Sequence, residues 1–478
     1  MLDTDADDIT IQNAWSDCAP SSLDAADLPE LRTKLRQLSE FPQGDVSYTR
    51  LLTALDRHVH DLLLRLRPAF RRATLPLSHE ARSRSSEMSD ILGLLAECYS
   101  RLVRESPTVD VARHGLLALY RRLEVCVLAG TTAPPKLWLR ASEMHRALSR
   151  CADDTAETHD GRLIYARLLA LGCVSPEHLS AQEIGDTVDW LDAAEVPTVL
   201  HEDRPREADE SWFWVELKQD RGPQQFARRQ PPSRPGVMVF SLAPLASHAL
   251  AHATQLAPRP EEADSADGEA ASLAALLRRI ADQFSGSQKR KLNRRSSSYR
   301  VKVCTGLPDI RRLIDPTCSE PPDLSEWMVI NESAGGFAIM HVSGFIEGIM
   351  SGGVIALRAD EDESWTICLV RWSRSDTPEH VELGLQILSN GAQAVDIAFR
   401  SAAPNGARSV RQALLLPALP ALRPKFAILA PAGSYTARRF VLVAQTSHVY
   451  ITQGRLISLD LQTANVELFQ FELDPYPI

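Results

Sequence analysis

The sequence lacks the features that mark secreted, membrane-spanning and disulfide-stabilised proteins. The first residues, Met1 to Asp8, are acidic and contain neither the basic segment nor the apolar segment of a secretory signal peptide. No apolar run reaches the roughly 20 residues that a membrane helix needs, and residues 413–430, which come closest, are interrupted by prolines and charges. The eight cysteines form no Cys-x-x-Cys pair. These absences predict a cytoplasmic protein with reduced thiols and no membrane insertion.

Recognisable catalytic and metal-binding signatures are missing as well. The chain contains no Gly-x-Ser-x-Gly motif, no P-loop and no protein-kinase signature. His248 and His252 lie four residues apart on a predicted helix, but no third ligand follows at a suitable spacing. We therefore expect neither enzymatic activity nor a bound metal or cofactor.

An overall basic balance is also absent. The 62 acidic residues outnumber the 52 lysines and arginines, and the formal net charge is −10. A protein that coats DNA or RNA is expected to present a broadly basic surface, so the composition argues against nucleic acid as a partner. The hydrophobic fraction of 44% is nevertheless sufficient for several ordinary globular cores.

The first part of the chain has the periodicity of amphipathic helices. Between Leu28 and Val196, apolar residues recur every three or four positions, and proline-containing breaks divide them into six or seven segments. Ser106 and Ser175 each precede a proline and are predicted to cap the helices that follow. We predict an all-α bundle or array over residues 1–196.

The next two segments are mixed in character. Residues 197–257 contain two predicted strands, at 212–217 and 237–240, followed by a predicted helix at 242–256. Residues 258–288 begin with an acidic, proline-containing linker and continue into an amphipathic helix at 272–284. The apolar stripe of that helix requires a partner surface, either the N-terminal helices or the domain that follows.

The remainder of the chain is dominated by strands. Six predicted strands between Tyr299 and Ile387 are enough to close a small antiparallel barrel, which we place at residues 289–395. Five more lie between Phe426 and Leu473, after a proline-rich stretch, and predict a second β module over residues 396–478. This module is a degenerate barrel or an extension packed on the first. The predicted fold class is therefore α+β and multidomain.

A basic segment leads into the first predicted barrel. Residues 285–302 contain seven lysines and arginines and no acid, in a chain that is acidic overall. An isolated positive segment of this kind favours a specific anion over a long polyanion. Arginine suits such a ligand because its planar guanidinium binds phosphate or a guanine edge with two parallel hydrogen bonds and can also stack on a base.

A second motif follows about thirty residues later. Asn331-Glu332-Ser333-Ala334-Gly335-Gly336 is a polar, glycine-containing turn between two apolar runs, and it has the form Asn-x-Ser-x-x-Gly. An arginine segment that enters one strand, followed by this turn between the next two, resembles the PilZ domain. Later segments at 352–357, 367–372 and 382–387 are similar to the remaining strands of that family, so the resemblance covers roughly residues 289–392.

The resemblance implies a non-enzymatic receptor for cyclic di-GMP in a bacterial signalling pathway. The ligand-binding residues that it implies are Arg294, Arg295, Arg300, Asn331, Ser333 and Gly336. The family's usual motif has three residues between its two arginines, whereas four residues separate Arg295 from Arg300. The arginine segment is expected to order on the ligand and so to change domain arrangement or partner docking, with a protein partner reading the change at the N-terminal helical region.

Two alternatives remain open at this point. The chain could be a scaffold or interaction protein whose PilZ-like barrel no longer binds a ligand, or, less consistently with the composition, an adaptor that binds RNA through the same basic segment. A steep loss of affinity with salt would identify the RNA adaptor, because it would contact several phosphates.

Overall fold

The computed structural model describes most of the chain beyond its first 27 residues. The described residues are 28–40, 46–151, 155–256, 268–286, 295–315, 317–359, 364–377, 380–399, 410–419, 423–435, 439–445 and 449–474. Residues 258–267 of the linker predicted at 258–269, and Arg294, lie outside these ranges.

The described residues of the N-terminal part form seven α-helices, where the periodicity predicts six or seven. They are α1 (Leu28–Glu40), α2 (Val46–Arg71), α3 (His79–Glu105), α4 (Val109–Leu128), α5 (Leu137–Arg150), α6 (Ala156–Cys173) and α7 (Ala181–Ala193), with a 3₁₀ turn at Pro176–His178. Their apolar faces meet in one large core, in which side chains such as Leu52, Leu95 and Leu119 are fully buried.

The residues that cap these helices are not the two predicted ones. The hydroxyl of Thr108 accepts a hydrogen bond from the Val111 backbone N–H in the first turn of α4, and Ser180 forms a reciprocal capping box with Glu183 at the start of α7. Ser106 instead ends α3, and Ser175 begins only the 3₁₀ turn, with no side-chain cap bond. The serine–proline signal correctly marked a break in the helix but misplaced the next helix by several residues.

A small antiparallel sheet and two further helices follow. Strands β1 (Leu200–His201), β2 (Phe213–Glu216), β3 (Gln224–Gln225) and β4 (Val237–Phe240) pair in the order β1-β4-β2-β3, and helices α8 (Ala243–Gln255) and α9 (Gly268–Ser285) come after them. Phe213 and Phe240 on one face of the sheet, and Leu277, Ile280 and Phe284 on α9, all join the helical core. Within this core the apolar stripe of α9 packs mainly against α8 and also against α7, so the three segments predicted separately as 1–196, 197–257 and 258–288 share one core where they are described.

The next six strands close an antiparallel barrel. They are β5 (Arg295–Thr305), β6 (Ser325–Ser333), β7 (Gly336–Ser343), β8 (Val354–Arg358), β9 (Thr366–Thr377) and β10 (His380–Ser389), with a short helix α10 (Leu307–Ile314) between β5 and β6. The barrel order is β10-β7-β6-β5-β8-β9, and the pairing of β9 with β10 closes it. Alternate inward residues such as Val301, Trp327 and Leu383 fill its core. The predicted first barrel is confirmed.

Six more strands form a second closed barrel rather than an extension of the first. They are β11 (Gln393–Phe399), β12 (Val410–Leu416), β13 (Ala427–Pro431), β14 (Arg439–Gln445), β15 (Val449–Gln462) and β16 (Val466–Leu473), in the order β11-β12-β13-β16-β15-β14. The sequence pattern missed β11 and β12, and β11 begins at Gln393, before the predicted domain limit at 395. The pattern also predicts two strands, at 448–452 and 456–461, where the structure has the single strand β15, continuous through Gly454. A Cβ at Gly454 would lie 2.4 Å from the Phe440 ring. That glycine makes room for a core aromatic inside a continuous strand.

The two barrels pack side by side through a shared apolar layer. Outward-facing residues of β8 and β9 and the apolar face of α10 meet outward-facing residues of β12, β13 and β16. Arg423, which is 5% exposed, lies at this junction and donates to the carbonyl oxygens of Leu388 and Pro417 at 3.3 and 2.9 Å. Thr463 of the second barrel donates to the Gly352 carbonyl of the first at 2.8 Å.

The helical part covers one end of the first barrel. Leu75 and Leu77, from the loop between α2 and α3, belong to the barrel core, and Leu75 exchanges two backbone hydrogen bonds with Ile349, at 2.8 and 3.0 Å. Ser351 donates to the Glu177 carbonyl at 2.8 Å in the same region. Ile349 and Ser351 lie in the loop after β7, so these contacts are at the end of the barrel opposite the β6–β7 turn. Across the described helices, none combines the length and the apolar character needed to span a membrane.

Candidate functional site

The strand register of the first barrel brings the two sequence motifs side by side. Strand β5 begins at Arg295, four residues earlier than the predicted start at Tyr299, so Arg295 lies on the strand. In the β5–β6 ladder Arg295 pairs with Glu332 and Ser296 pairs with Asn331. The beginning of the arginine-bearing strand therefore lies directly beside the Asn-x-Ser-x-x-Gly turn.

A β-bulge explains the unusual spacing of the arginines. Ser296 pairs with Asn331 and Tyr299 pairs with Val329, so three steps along β5 match two steps along β6. Arg300 pairs with Met328, and the five steps from Arg295 to Arg300 therefore span only four steps of the partner strand, from Glu332 to Met328. Measured along β6, the two arginines are as far apart as in an unbulged strand with three intervening residues.

The turn itself is held by short-range contacts. Ser333 donates to the Gly336 carbonyl across the turn at 3.3 Å. The Asn331 side-chain oxygen is buried and has no hydrogen-bond partner among the described residues. A buried acceptor without a donor is costly, and a ligand donor placed against it would remove that cost.

Gly336 has a packing role in the barrel. A Cβ at this position would lie 1.8 Å from the Leu385 carbonyl oxygen of β10, far inside van der Waals contact. Glycine is required here because β7 approaches the backbone of β10 closely where the barrel closes. The family resemblance implies only a ligand-binding role for Gly336, and this packing role has no signal in the sequence.

Acidic side chains accompany the arginines on neighbouring strands. The Arg300 guanidinium donates from Nη1 to both Glu326 carboxylate oxygens, at 3.1 and 3.0 Å. This bond lowers the pKa of the Glu326 carboxyl, and Ser343 donates to the same carboxylate at 3.1 Å. Glu332 accepts the Tyr299 hydroxyl at 2.9 Å. These acids were not among the predicted site residues, because sequence spacing does not show which side chains come into contact between neighbouring strands.

The predicted site residues thus fall into three groups. Arg295, Asn331, Ser333 and Gly336 meet at one end of the barrel, and Arg300 lies farther along β5 with its side chain bonded to Glu326. Arg294 lies outside the described residues. This arrangement offers two exposed guanidinium donors beside a half-buried turn that carries an unsatisfied amide acceptor and a hydroxyl, which are groups suited to phosphates and base edges.

Two comparisons with protein-family models agree with this architecture. A model described as the N-terminal domain of the cyclic-di-GMP receptor FimW matches residues 12–201, and a model described as the middle PilZ domain of the same receptor matches residues 316–394. The chain belongs to the PilZ family of cyclic-di-GMP receptors. The first match spans the helices α1 to α7, and the second contains the Asn331 turn but begins after Arg300. Among curated proteins, none matches the chain.

His248, raised above as a possible metal ligand, and Trp214 of the small sheet both pack against aromatic neighbours. His248 packs at a tilt against Trp190, with ring centroids 5.8 Å apart. In the described part of the chain, no three His, Cys, Asp or Glu side chains come together as a metal site. Trp214 is buried in a small cluster with Phe226, and its indole donates to the Arg229 carbonyl at 2.8 Å.

Proposed function

We propose that the chain is a cytoplasmic bacterial receptor that binds cyclic di-GMP at the Arg295–Asn331 end of the first barrel and has no enzymatic activity of its own. The observation behind this proposal is the strand register, which places Arg295 beside the turn and Arg300 four residues farther along when counted on the partner strand β6. Arg295 and Arg300 would grip the phosphates and a guanine edge, and Asn331 and Ser333 would bond the other guanine.

Calorimetric titration with cyclic di-GMP tests the proposal directly. Arg295→Ala and Arg300→Ala should each weaken binding by about 10- to 150-fold, the equivalent of one charge-assisted hydrogen-bonding group at about 1.5–3 kcal/mol. Arg312→Ala is the matched control, since Arg312 is an exposed arginine on α10 of the same barrel whose guanidinium pairs with Asp309. Binding by both site variants that equals wild type would show that the site is elsewhere.

We further propose that ligand binding alters how the barrel and the helical part meet. The last turn of α9 is fixed in the helical core, where Phe284 is fully buried. Gln283 and Gly286 line a cleft of about 1030 Å³ between the helical part and the barrel, opposite Met350 and Trp372. Only residues 287–294 separate this cleft from Arg295 in sequence. A ligand held at Arg295 would therefore constrain the connection to α9, and a protein partner could detect the change at the helical surface.

Amide hydrogen exchange distinguishes transmission from simple binding. Cyclic di-GMP should slow exchange over α9 and around Gly286 as well as at the Asn331 turn, while β16 of the second barrel should serve as an unaffected reference. If the amides of the turn alone are protected, the ligand does not act through α9, and partners would instead bind the surface of the barrel itself.

A scaffold that binds no nucleotide is the second candidate. It is favoured by one observation, that Glu326 of the same barrel already neutralises Arg300. Titration decides between the two functions, because the scaffold shows no heat of binding with cyclic di-GMP in any buffer.

A further inference from the structure

Glu326 is the acid that contacts a proposed ligand-binding arginine in this structure. Arg300 is 61% exposed at its side chain, and both of its bonds to Glu326 come from one guanidinium nitrogen. The second nitrogen of the fork is thus not used by this carboxylate. An exposed pair of this kind is weak and easily exchanged, which suits a contact that a ligand must replace.

The direction of the contact matters as much as its strength. Arg300 pairs with Met328 in the ladder, and Glu326 pairs with Lys302, so Glu326 lies beyond Arg300 as seen from the turn. At about 3.3 Å per residue, Asn331 is roughly 10 Å along β6 from Met328 and roughly 16 Å from Glu326. The ion pair therefore directs the Arg300 guanidinium away from the turn.

The carboxylate is also held in place from the far side. Ser343 on β7 donates to Glu326 Oε2, one of the two oxygens that accept from Arg300, and Lys302 adds a second positive charge opposite Glu326 in register. Glu326 thus stays ionised and oriented toward β5, where it competes with any anion for the Arg300 fork.

We propose that Glu326 is a positioning residue that stores Arg300 in the unliganded receptor and sets the ligand affinity by competing with the ligand phosphate. The inference rests on the proposed function. Ligand binding then replaces the Glu326 carboxylate with the ligand phosphate as the partner of Arg300. The binding free energy that Arg300 contributes is therefore the difference between these two contacts. Removing the carboxylate makes Arg300 available without that exchange.

The test is calorimetric titration of the full chain with cyclic di-GMP in wild type, Glu326→Gln, Glu326→Asp and Glu347→Gln. Glu326→Gln should bind about two- to fivefold tighter at low salt, the range expected for loss of one exposed competing ion pair. The gain should shrink at high salt, because screening weakens the competitor in the wild type. Glu326→Asp keeps the charge and should return affinity toward wild type. Glu347 is an exposed acid in the loop after β7, at the other end of the barrel, so Glu347→Gln controls for net charge and should bind as wild type.

Each result bears on the proposal in a distinct way. Equal or weaker binding by Glu326→Gln overturns it, and so does a gain of the same size in Glu347→Gln, since that would reflect net charge alone. A gain in Glu326→Gln that persists undiminished in Glu326→Asp also overturns it, because the charge would then not be the competitor. If the wild type and all variants fail to bind, the proposed function itself is wrong. Thermal unfolding curves establish separately that each variant is folded.

Discussion

Because β5 contains a bulge, deleting one residue there should preserve ligand affinity, whereas deleting two should abolish most of it. Ser297 and Ser298 together face the single β6 position at Ile330, between the pairs Ser296–Asn331 and Tyr299–Val329. Deleting Ser297 should remove the bulge and leave both flanking pairs intact, so Arg295 stays opposite Glu332. Affinity for cyclic di-GMP should therefore remain within about threefold of wild type, or less than about 0.7 kcal/mol.

Deleting both Ser297 and Ser298 shifts the register by one residue. Arg295 would move opposite Asn331, and because side chains alternate between faces, its guanidinium would point to the other face of the barrel wall. The loss should match that of Arg295→Ala, about 10- to 150-fold for one charge-assisted contact. Calorimetry gives both affinities, and circular dichroism confirms that each shortened barrel folds. A single deletion that abolishes binding, or a double deletion that preserves it, would refute the register argument.

Three further predictions concern stability. Without any ligand, Gly336→Ala should lower the free energy of unfolding by about 3 kcal/mol or more, because the new Cβ would overlap the Leu385 carbonyl. Gly286→Ala has open space around the new methyl group and should be close to neutral, and thermal unfolding compares the two variants. Glu124→Ala should lower the free energy of unfolding by about 3–5 kcal/mol, because this fully buried carboxylate accepts from Arg67 and Arg121 at 2.6 and 3.0 Å. Glu80→Ala breaks only an exposed pair with Arg84 and should lower it by less than about 1 kcal/mol. Urea unfolding measures both, and similar losses would contradict the difference between buried and exposed pairs. Burial disfavours the protonated His60 ring, but the Asp56 carboxylate, 2.7 Å away, outweighs this and raises the His60 pKa. The resulting stabilisation is complete below about pH 6.5 and is lost as pH rises through the higher folded-state pKa, so urea unfolding at a series of pH values from 6 upward should show the loss in wild type and not in His60→Gln.

The same Asp56 cluster opposes acid unfolding. Burial disfavours the Asp56 carboxylate, but bonds from His114, His60 and Tyr99 more than compensate and lower its pKa. Because the folded-state pKa is depressed, this contribution is present above about pH 3.9 and is lost as the pH falls further. The cluster ties α2, α3 and α4 together in the centre of the helical core.

Much of the architecture could be predicted from local patterns. The helical periodicity up to Val196 corresponds to seven helices, and the alternating segments from Tyr299 to Ile387 correspond to the six strands of the first barrel. Both patterns depend on which face of a single element is apolar, and that information is contained in a few consecutive residues. The two motifs of the candidate site could be found for the same reason, since each is a short run.

The patterns failed where a residue's environment came from distant parts of the chain. Gly454 has the appearance of a turn residue, yet it lies in the middle of β15 because Phe440 of the neighbouring strand occupies the space of its side chain. Helix α5 has no cap of its own, since Lys136 adopts a left-handed conformation there, and Asp220 accepts the Trp138 amide at 3.1 Å from 82 residues away. Neither feature has a local signal.

The same contrast between local patterns and long-range contacts applies to the candidate site. The sequence by itself determined which side chains could bind an anionic nucleotide, because arginines, an asparagine and a serine are chemically suited to it wherever they lie. Only the tertiary structure decided how they are arranged: the bulge restores the spacing of Arg295 and Arg300, and Glu326 forms an ion pair with Arg300 diagonally across the β5–β6 ladder. Register and cross-strand contacts depend on the pairing of separate strands, and that pairing is set by closure of the whole barrel and not by any one segment.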